Sequence, residues 1–342
     1  MIMQHMMEGE NMSKKRKSTK IILSLFIIGV LIFGGAFGYT FYELGKINTV
    51  KISKTDEALG IKTDASPQAE KDNGITNIAF FGLDRRTAKE PARSDSIMVL
   101  SVDTKNKKIK MSSIMRDTYV AVKGHDETKI THAYAYGGPQ LAIRTLNENF
   151  DLNIRNYVSV DFFNLEKIID SIDGVTIDIA QDEIDLINGY MNETAGIEGK
   201  SITRITRSGP QTLNGLQAVA YSRIRYTSGG DFKRTERQRT VLTGMLTKIE
   251  SLGATEFPSV VSKLLPLTET SMSSMDVMAL GTKVIASKTT ALEQERFPVD
   301  GYCEGKTIGG VWYLKADLKA TADQIHRFIY ENVKPVSKAP LF

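Results

Sequence analysis

Apolar and polar residues follow three rhythms along this chain. The first is a single unbroken apolar run, IILSLFIIGVLIFGGAFGYTFY over 21–42, without a charge. As a helix it is long enough to cross roughly 30 Å of hydrocarbon. The second is a set of short apolar stretches bounded by turn residues: Ile75 to Gly82, Asp95 to Asp103, Lys108 to Met115, Tyr157 to Phe162 and Val175 to Ile179. Each predicts a strand. The third has the helical period. Gly137-Gly138-Pro139 opens a helix carrying Leu141, Ala142, Leu146 and Phe150, and further helices fit Leu165 to Ile172, Leu213 to Ala220, Asp231 to Ile249, Met275 to Ala286 and Leu318 to Asn332. Proline is well placed in a first turn, where its missing N–H is not needed. Strands alternating with helices predict an α/β domain with a central β-sheet flanked by helices.

The turn Thr104 to Lys107 is too short for anything but an antiparallel hairpin, so the sheet is mixed. In such a pair the start of one strand lies beside the end of the other. Asp95, opening one strand, should meet Arg116-Asp117, closing the next. Gly82-Leu83-Asp84-Arg85 reaches the same rim if its strand runs parallel to the second of the pair. Three charged segments distant in sequence then converge.

The flanks of the apolar run orient the chain. Lys14, Lys15, Arg16, Lys17 and Lys20 precede it, and mixed charges from Glu43 follow. By the positive-inside rule 1–20 is a cytoplasmic tail, 21–42 a transmembrane helix retained as a signal anchor, and everything beyond lies outside the cell membrane. A cleaved signal peptide would have an apolar region of only about 7–15 residues. Residues 43–73 read as an extracytoplasmic linker and 74–342 as the folded extracellular domain. The lone Cys303 forms no internal disulfide, so the exported domain depends on its core alone. A net charge of +4, partly in the basic tail, gives no case for nucleic acid.

The chemistry is concentrated in arginine. Arg204, Arg207, Arg223, Arg225, Arg234, Arg237 and Arg239 share a stretch with one lysine, Lys233. A generic basic surface uses both residues; a site gripping planar oxygens uses the guanidinium fork, so phosphate or pyrophosphate is the expected ligand. On the helix from Asp231, Asp231, Arg234 and Gln238 share a stripe that continues through Val241, Leu242, Met245 and Ile249. Arginines near a helix N-terminus oppose its dipole unless an anion faces them. Arg223 and Arg225, if extended, point to one side as a two-pronged clamp. Asp84 and Asp95 could be ion-pair partners of neighbouring arginines or oxygen ligands for magnesium or manganese. His125 and His132 have no partners at zinc spacing, Ser112 and Ser113 no nucleophile-elbow glycines, and no Walker A loop occurs.

In order along the chain stand FFGLDRR (Phe80 to Arg86), RSDS (Arg93 to Ser96), SIMRDTYV (Ser113 to Val120), KITHAYAYGG (Lys129 to Gly138), LNGLQAVAYSRIRY (Leu213 to Tyr226) and DFKRTERQ (Asp231 to Gln238). Together they resemble the LytR-CpsA-Psr family of cell-wall ligases. Met115 stands where that family usually has proline, and Asn214 where it has aspartate. The resemblance implies a membrane-anchored, metal-dependent phosphotransferase. Such an enzyme moves a glycopolymer, teichoic acid or capsular polysaccharide, from a polyprenyl-pyrophosphate carrier to peptidoglycan through a phosphodiester link. Carried over, Asp84 and Asp95 hold Mg2+ or Mn2+, and Arg85, Arg116, Arg223, Arg225, Arg234 and Arg237 hold the pyrophosphate with Gln238 and Asp231 in support. Asp84, Asp95 or Asp231 could accept the proton of the attacking hydroxyl. A lipid-pyrophosphate hydrolase and a non-enzymatic, membrane-anchored regulator that binds the lipid carrier are the alternatives.

Overall fold

The computed structural model describes residues 48–62, 74–85, 91–286 and 291–339. The expected tail and membrane helix, and 43–47 and 63–73 of the linker, lie outside them. Residues 48–62 belong to the fold instead: Asn48–Thr49 pair into the main sheet, and Leu59, in the short helix α1 (Asp56–Leu59), and Ile61 are buried in its core. Among the described residues no helix is long and apolar enough to cross a membrane.

The main sheet is built from β1 (Asn48–Thr49), β2 (Ile75–Asp84), β3 (Arg93–Asp103), β4 (Lys108–Ile114), β7 (Asn156–Asp161), β10 (Glu269–Thr270) and β11 (Ala291–Phe297), in the order β1-β10-β7-β2-β3-β4-β11. The sheet is mixed: β2 pairs antiparallel with β3 and β3 with β4, while β7 runs parallel to β2 and β11 parallel to β4. Strand alternation explains why both faces are covered. Phe81, Leu83, Ile97 and Val99 enter one core, beneath the helices α2 (His132–Phe150) and α8 (Leu318–Glu331). Met98, Leu100, Val102 and Met111 enter another, which Leu242, Leu246, Leu280 and Val284 cover from the helices α6 (Gly230–Leu264) and α7 (Ser274–Ala286). With period-2 side chains, near-continuous apolar strands are what a sheet buried on both faces requires.

A third core stands beside the sheet. It joins α3 (Phe162–Ser171), α4 (Ile184–Glu198), α5 (Gly215–Arg223) and part of α6 to the two-stranded ladder of β8 (Val175–Ile179) and β9 (Gly209–Leu213). The strand expected at Val175 to Ile179 therefore exists but belongs to this ladder and not to the main sheet. Two further ladders, β5 (Tyr119–Val120) with β6 (Thr128–Lys129) and β12 (Cys303–Ile308) with β13 (Val311–Ala316), complete the strands among the described residues.

Helix breaks fall where local chemistry puts them. The helix expected at Pro139 is preceded by a short turn from His132, with Gly137 and Gly138 leaving helical angles between them. The apolar stripe of α6 runs to Ile249, and the backbone breaks at Gly253 (φ 73°, ψ 178°) before a second segment continues to Leu264. Left-handed φ of this kind suits a residue without a side chain.

Candidate functional site

The site forms at the rim predicted from the hairpin. The four-residue turn sets the pairing of β3 and β4, and Arg116 Nη1 lies 2.7 Å from Asp95 Oδ2. Two arginines from other elements reach the same oxygen, Arg225 Nη2 at 3.1 Å and Arg234 Nη1 at 3.6 Å. Arg234 also donates to the Asp95 carbonyl oxygen at 3.3 Å. Asp95 is therefore no loosely held surface acid, as a rim position suggests. It is 8% exposed and joins three guanidinium groups. Asp231, in the first turn of α6, braces two of them, with Oδ1 3.0 Å from Arg234 and Oδ2 3.5 Å from Arg116.

Beside this knot opens a pocket of about 160 Å³ lined by Asp84, Asp95, Phe162, Tyr190, Ser222, Arg223, Arg225, Tyr226, Arg234 and Gln238. Its charged lining is three arginines against two aspartates. Burial pushes the Arg234 pKa down to about 10, with Arg116 and Arg225 pushing the same way and Asp231 and Asp95 opposing. Burial also works against charge on Arg116, but Asp95, Asp231 and Asp117 outweigh it and hold its pKa above the ordinary value. The Nε atom of Arg234 is buried without a hydrogen-bond partner among the described residues, whereas that of Arg116 faces the carboxylates of Asp117 and Asp231, each at 3.5 Å. A buried donor left in that state is uncommon, and an anion in the pocket that Arg234 lines would offer it a partner.

Three residues of the charged pocket, Phe162, Ser222 and Gln238, are shared with an adjoining apolar cavity of about 80 Å³. Phe80, Phe81, Met98, Val160, Leu165, Val241, Leu242 and Met245 line it, between the sheet, α3 and α6. The stripe on α6 thus does what its sequence predicts: Arg234 and Gln238 serve the charged pocket, then Val241 and Met245 the apolar one.

Arg223 and Arg225 depart from the extended clamp. Arg223 is the last residue of α5 and Arg225 lies in the loop beyond. The helix persists because Gly215 through Ser222 are all buried, a setting in which packing overrides the pattern of a short apolar segment. It starts at a capping box: Asn214 accepts from Gln217 N at 2.9 Å, and Gln217 Oε1 accepts from Asn214 N at 3.0 Å. Asparagine thus supplies the oxygen that aspartate would. Gly215 lets α5 lie against α3, since a Cβ there would collide with the Glu166 carbonyl. Arg223 stacks 5.1 Å from the Tyr190 ring centroid and donates to Thr194 Oγ1 at 2.8 Å. Both arginines line the pocket, but from different elements.

Two other predicted ligands sit elsewhere. Arg237 is 6% exposed, paired through Nε to Glu183 at 2.7 Å, and donates to the Ile224 carbonyl at 3.4 Å and Thr227 Oγ1 at 3.0 Å. It latches the loop that carries Arg225 and is not part of the pocket lining. The helical period leaves Arg237 only about 60° from Arg234, so it is the pairing with buried Glu183 that turns it away from the pocket. Arg85 turns to Asp161, 3.5 Å away, at the cap of α3. Arg116 and Asp231 stand behind the pocket wall as braces. Phe162, Tyr190, Ser222 and Tyr226 line the pocket without having been singled out by sequence; only Tyr226, beside Arg225, carried a local signal. Met115 is buried and its Sδ accepts from Thr235 Oγ1 at 3.6 Å.

The fold and this site define an α/β protein whose arginine-rich pocket shares a wall with an apolar cavity between sheet and helices. Residues 39–327 match the LytR_cpsA_psr family, and the chain belongs to it. It is 37% identical over 174 residues to the regulatory protein MsrR of Staphylococcus aureus (strain COL), a match covering 50% of this chain and 48% of that relative. The chain thus spans about half the length of the MsrR proteins it matches. It is 27% identical over 319 residues to the polyisoprenyl-teichoic acid–peptidoglycan teichoic acid transferase TagU of Oceanobacillus iheyensis, covering 90% of this chain and 92% of TagU. Among solved structures, the LytR-CPS2A-psr family protein YwtF (TagT) with bound octaprenyl pyrophosphate lipid, from Bacillus subtilis, superposes with a TM-score of 0.55 at 26% identity over 75% of this chain and 90% of that one.

Proposed function

We propose that the chain is a phosphotransferase that moves a glycopolymer, teichoic acid or capsular polysaccharide, from a polyprenyl-pyrophosphate carrier to peptidoglycan. The observation that carries this reading is the shared wall of Phe162, Ser222 and Gln238 between the arginine pocket and the apolar cavity. A ligand that is pyrophosphate at one end and hydrocarbon at the other needs those two environments in contact. TagU's transferase name and the octaprenyl pyrophosphate in the TagT structure support the same ligand class.

Arg223, Arg225 and Arg234 would hold the phosphate oxygens, with Asp95 and Asp231, themselves paired to Arg116, fixing Arg234 in place. An acceptor hydroxyl oxygen attacks the phosphorus that bears the polymer. The bond to the bridging oxygen breaks and polyprenyl phosphate leaves, giving a phosphodiester. Catalysis of this kind is mostly positioning and charge stabilisation. Among the three candidate bases, Asp95 and Asp231 are tied to arginines. Asp84 forms no ion pair among the described residues and is exposed on the pocket wall, so of the three it is the one free to take the hydroxyl proton, a role open to it only when it is not ligating a cation.

No group of three or more His, Cys, Asp and Glu suited to a metal occurs among the described residues. Asp84 and Asp95 nevertheless fit a magnesium-type cation, which takes one or two carboxylates and completes its shell with phosphate and water oxygens. They would hold it, and when bound it would neutralise phosphate charge.

The test is to incubate the full-length chain with a lipid-pyrophosphate-linked glycan and peptidoglycan and to analyse the products by mass spectrometry. A polymer–peptidoglycan phosphodiester is expected. Free polymer phosphate would make the chain a hydrolase, and binding without turnover a regulator.

A further inference from the structure

A cluster of aromatic side chains next to the charged rim has no part in the chemistry above. Trp312, the chain's one tryptophan, is 48% exposed on β13, and its neighbour Val311 is 44% exposed. The indole is seated. A Cβ at Gly305, on the partner strand β12, would lie 2.9 Å from Trp312 Nε1, so only glycine lets the ring rest there. Tyr313 meets Tyr119 of β5 edge-on at 4.8 Å.

The platform is tied to the pocket residue by residue. Arg116 contacts Asp95, and the next residue, Asp117, accepts from Leu314 N through its carbonyl oxygen at 2.9 Å. The Asp117 carboxylate pairs with Lys129 Nζ at 2.7 Å, and that same Nζ lies 5.7 Å from the Trp312 ring centroid and 5.9 Å from that of Tyr313.

We propose that this surface binds the sugar rings of the acceptor glycan, the N-acetylhexosamine strand of peptidoglycan. The inference rests on the phosphotransferase reading. That reaction brings together two glycans, and the arginine pocket recognises only the donor, through its phosphates. The acceptor presents neutral pyranose rings, each with an apolar C–H face and a polar rim. The exposed Trp312 ring takes one such face, and the Lys129 ammonium beside it, held by the buried Asp117, donates to the rim hydroxyls and amide oxygens. A lipid tail needs an enclosed apolar channel, which an exposed hairpin is not. A stable protein partner needs roughly 1,000 Å² or more of buried surface, beyond what the exposed Trp312 and Val311 on one hairpin offer.

The single tryptophan makes the test direct. Full-length protein in detergent is titrated with chitotetraose and, separately, with a glycerol phosphate oligomer standing in for the donor polymer, while tryptophan emission is recorded. A saturable change with chitotetraose alone is expected. Trp312→Ala should raise the acceptor KM roughly tenfold, the scale of one stacked aromatic contact, with Trp312→Phe close to wild type. Lipid-pyrophosphate binding and turnover at saturating acceptor should be unchanged in both. No emission change with chitotetraose, a response to the glycerol phosphate oligomer instead, or equal loss of donor binding in Trp312→Ala would each overturn the assignment. Failure of the wild type to bind lipid pyrophosphate would sink the phosphotransferase reading; the fluorescence titration reads sugar binding independently of it.

Discussion

Replacing Asp95 by asparagine probes the centre of the site. The variant keeps size and hydrogen-bonding atoms but removes the charge that holds Arg116, Arg225 and Arg234 within 3.6 Å. Removing one partner of a buried ion pair costs about 3–5 kcal/mol, because charges are left uncompensated. Arg234 is almost fully buried, but the Arg225 side chain is 43% exposed and can turn to solvent. The low end, about 3 kcal/mol, is therefore expected, or a melting temperature lower by roughly 6 °C for a domain of this size. Pyrophosphate, added without divalent cation, supplies the missing negative charge. It should raise the melting temperature of Asp95→Asn more than that of wild type, where a ligand at 100 times its Kd contributes about 2.7 kcal/mol. Thermal melts of both proteins with and without pyrophosphate measure this. A variant melting within a degree of wild type, or an equal response of both to pyrophosphate, would refute the idea that Asp95 stands in for the anion.

Arg225→Lys keeps the charge and loses the fork, so transfer should fall roughly 10- to 150-fold, the worth of one charged hydrogen bond felt in the transition state; Arg327→Lys, on the exposed face of α8, should leave turnover unchanged in the same assay. Arg237→Ala leaves Glu183 buried and unpaired and frees the Arg225 loop, so urea unfolding should show a loss of about 3–5 kcal/mol. Arg234, lowered to about 10, should lose its charge as pH rises through 10, so calorimetry should show pyrophosphate affinity dropping there more steeply in wild type than in Arg234→Gln. The sign for stability is opposite: the unfolded chain keeps this proton to higher pH, so the group's contribution is flat below about 10 and rises above it. Protease added to intact protoplasts should digest the chain beyond Glu43 and spare the basic tail; protection of the large domain would overturn the extracellular placement.

What the sequence determined by itself was everything that depends on local geometry. A four-residue turn forces antiparallel pairing, so Asp95 and Arg116 had to meet at one rim, and the helical period put Arg234, Gln238 and Val241 on one stripe. Arginine in place of lysine indicated the ligand chemistry, and the ordered motifs indicated the family. Tertiary structure decided the rest, because it rests on what surrounds a side chain. Burial of α5 on all sides kept Arg223 helical and sent Arg225 into a loop. Glu183, far away in sequence, drew Arg237 out of the pocket and made it a latch. Asp161 did the same to Arg85. Only packing brought Trp312, from a hairpin near the end of the chain, beside Lys129 and Asp117, since no periodicity encodes a contact between elements that distant.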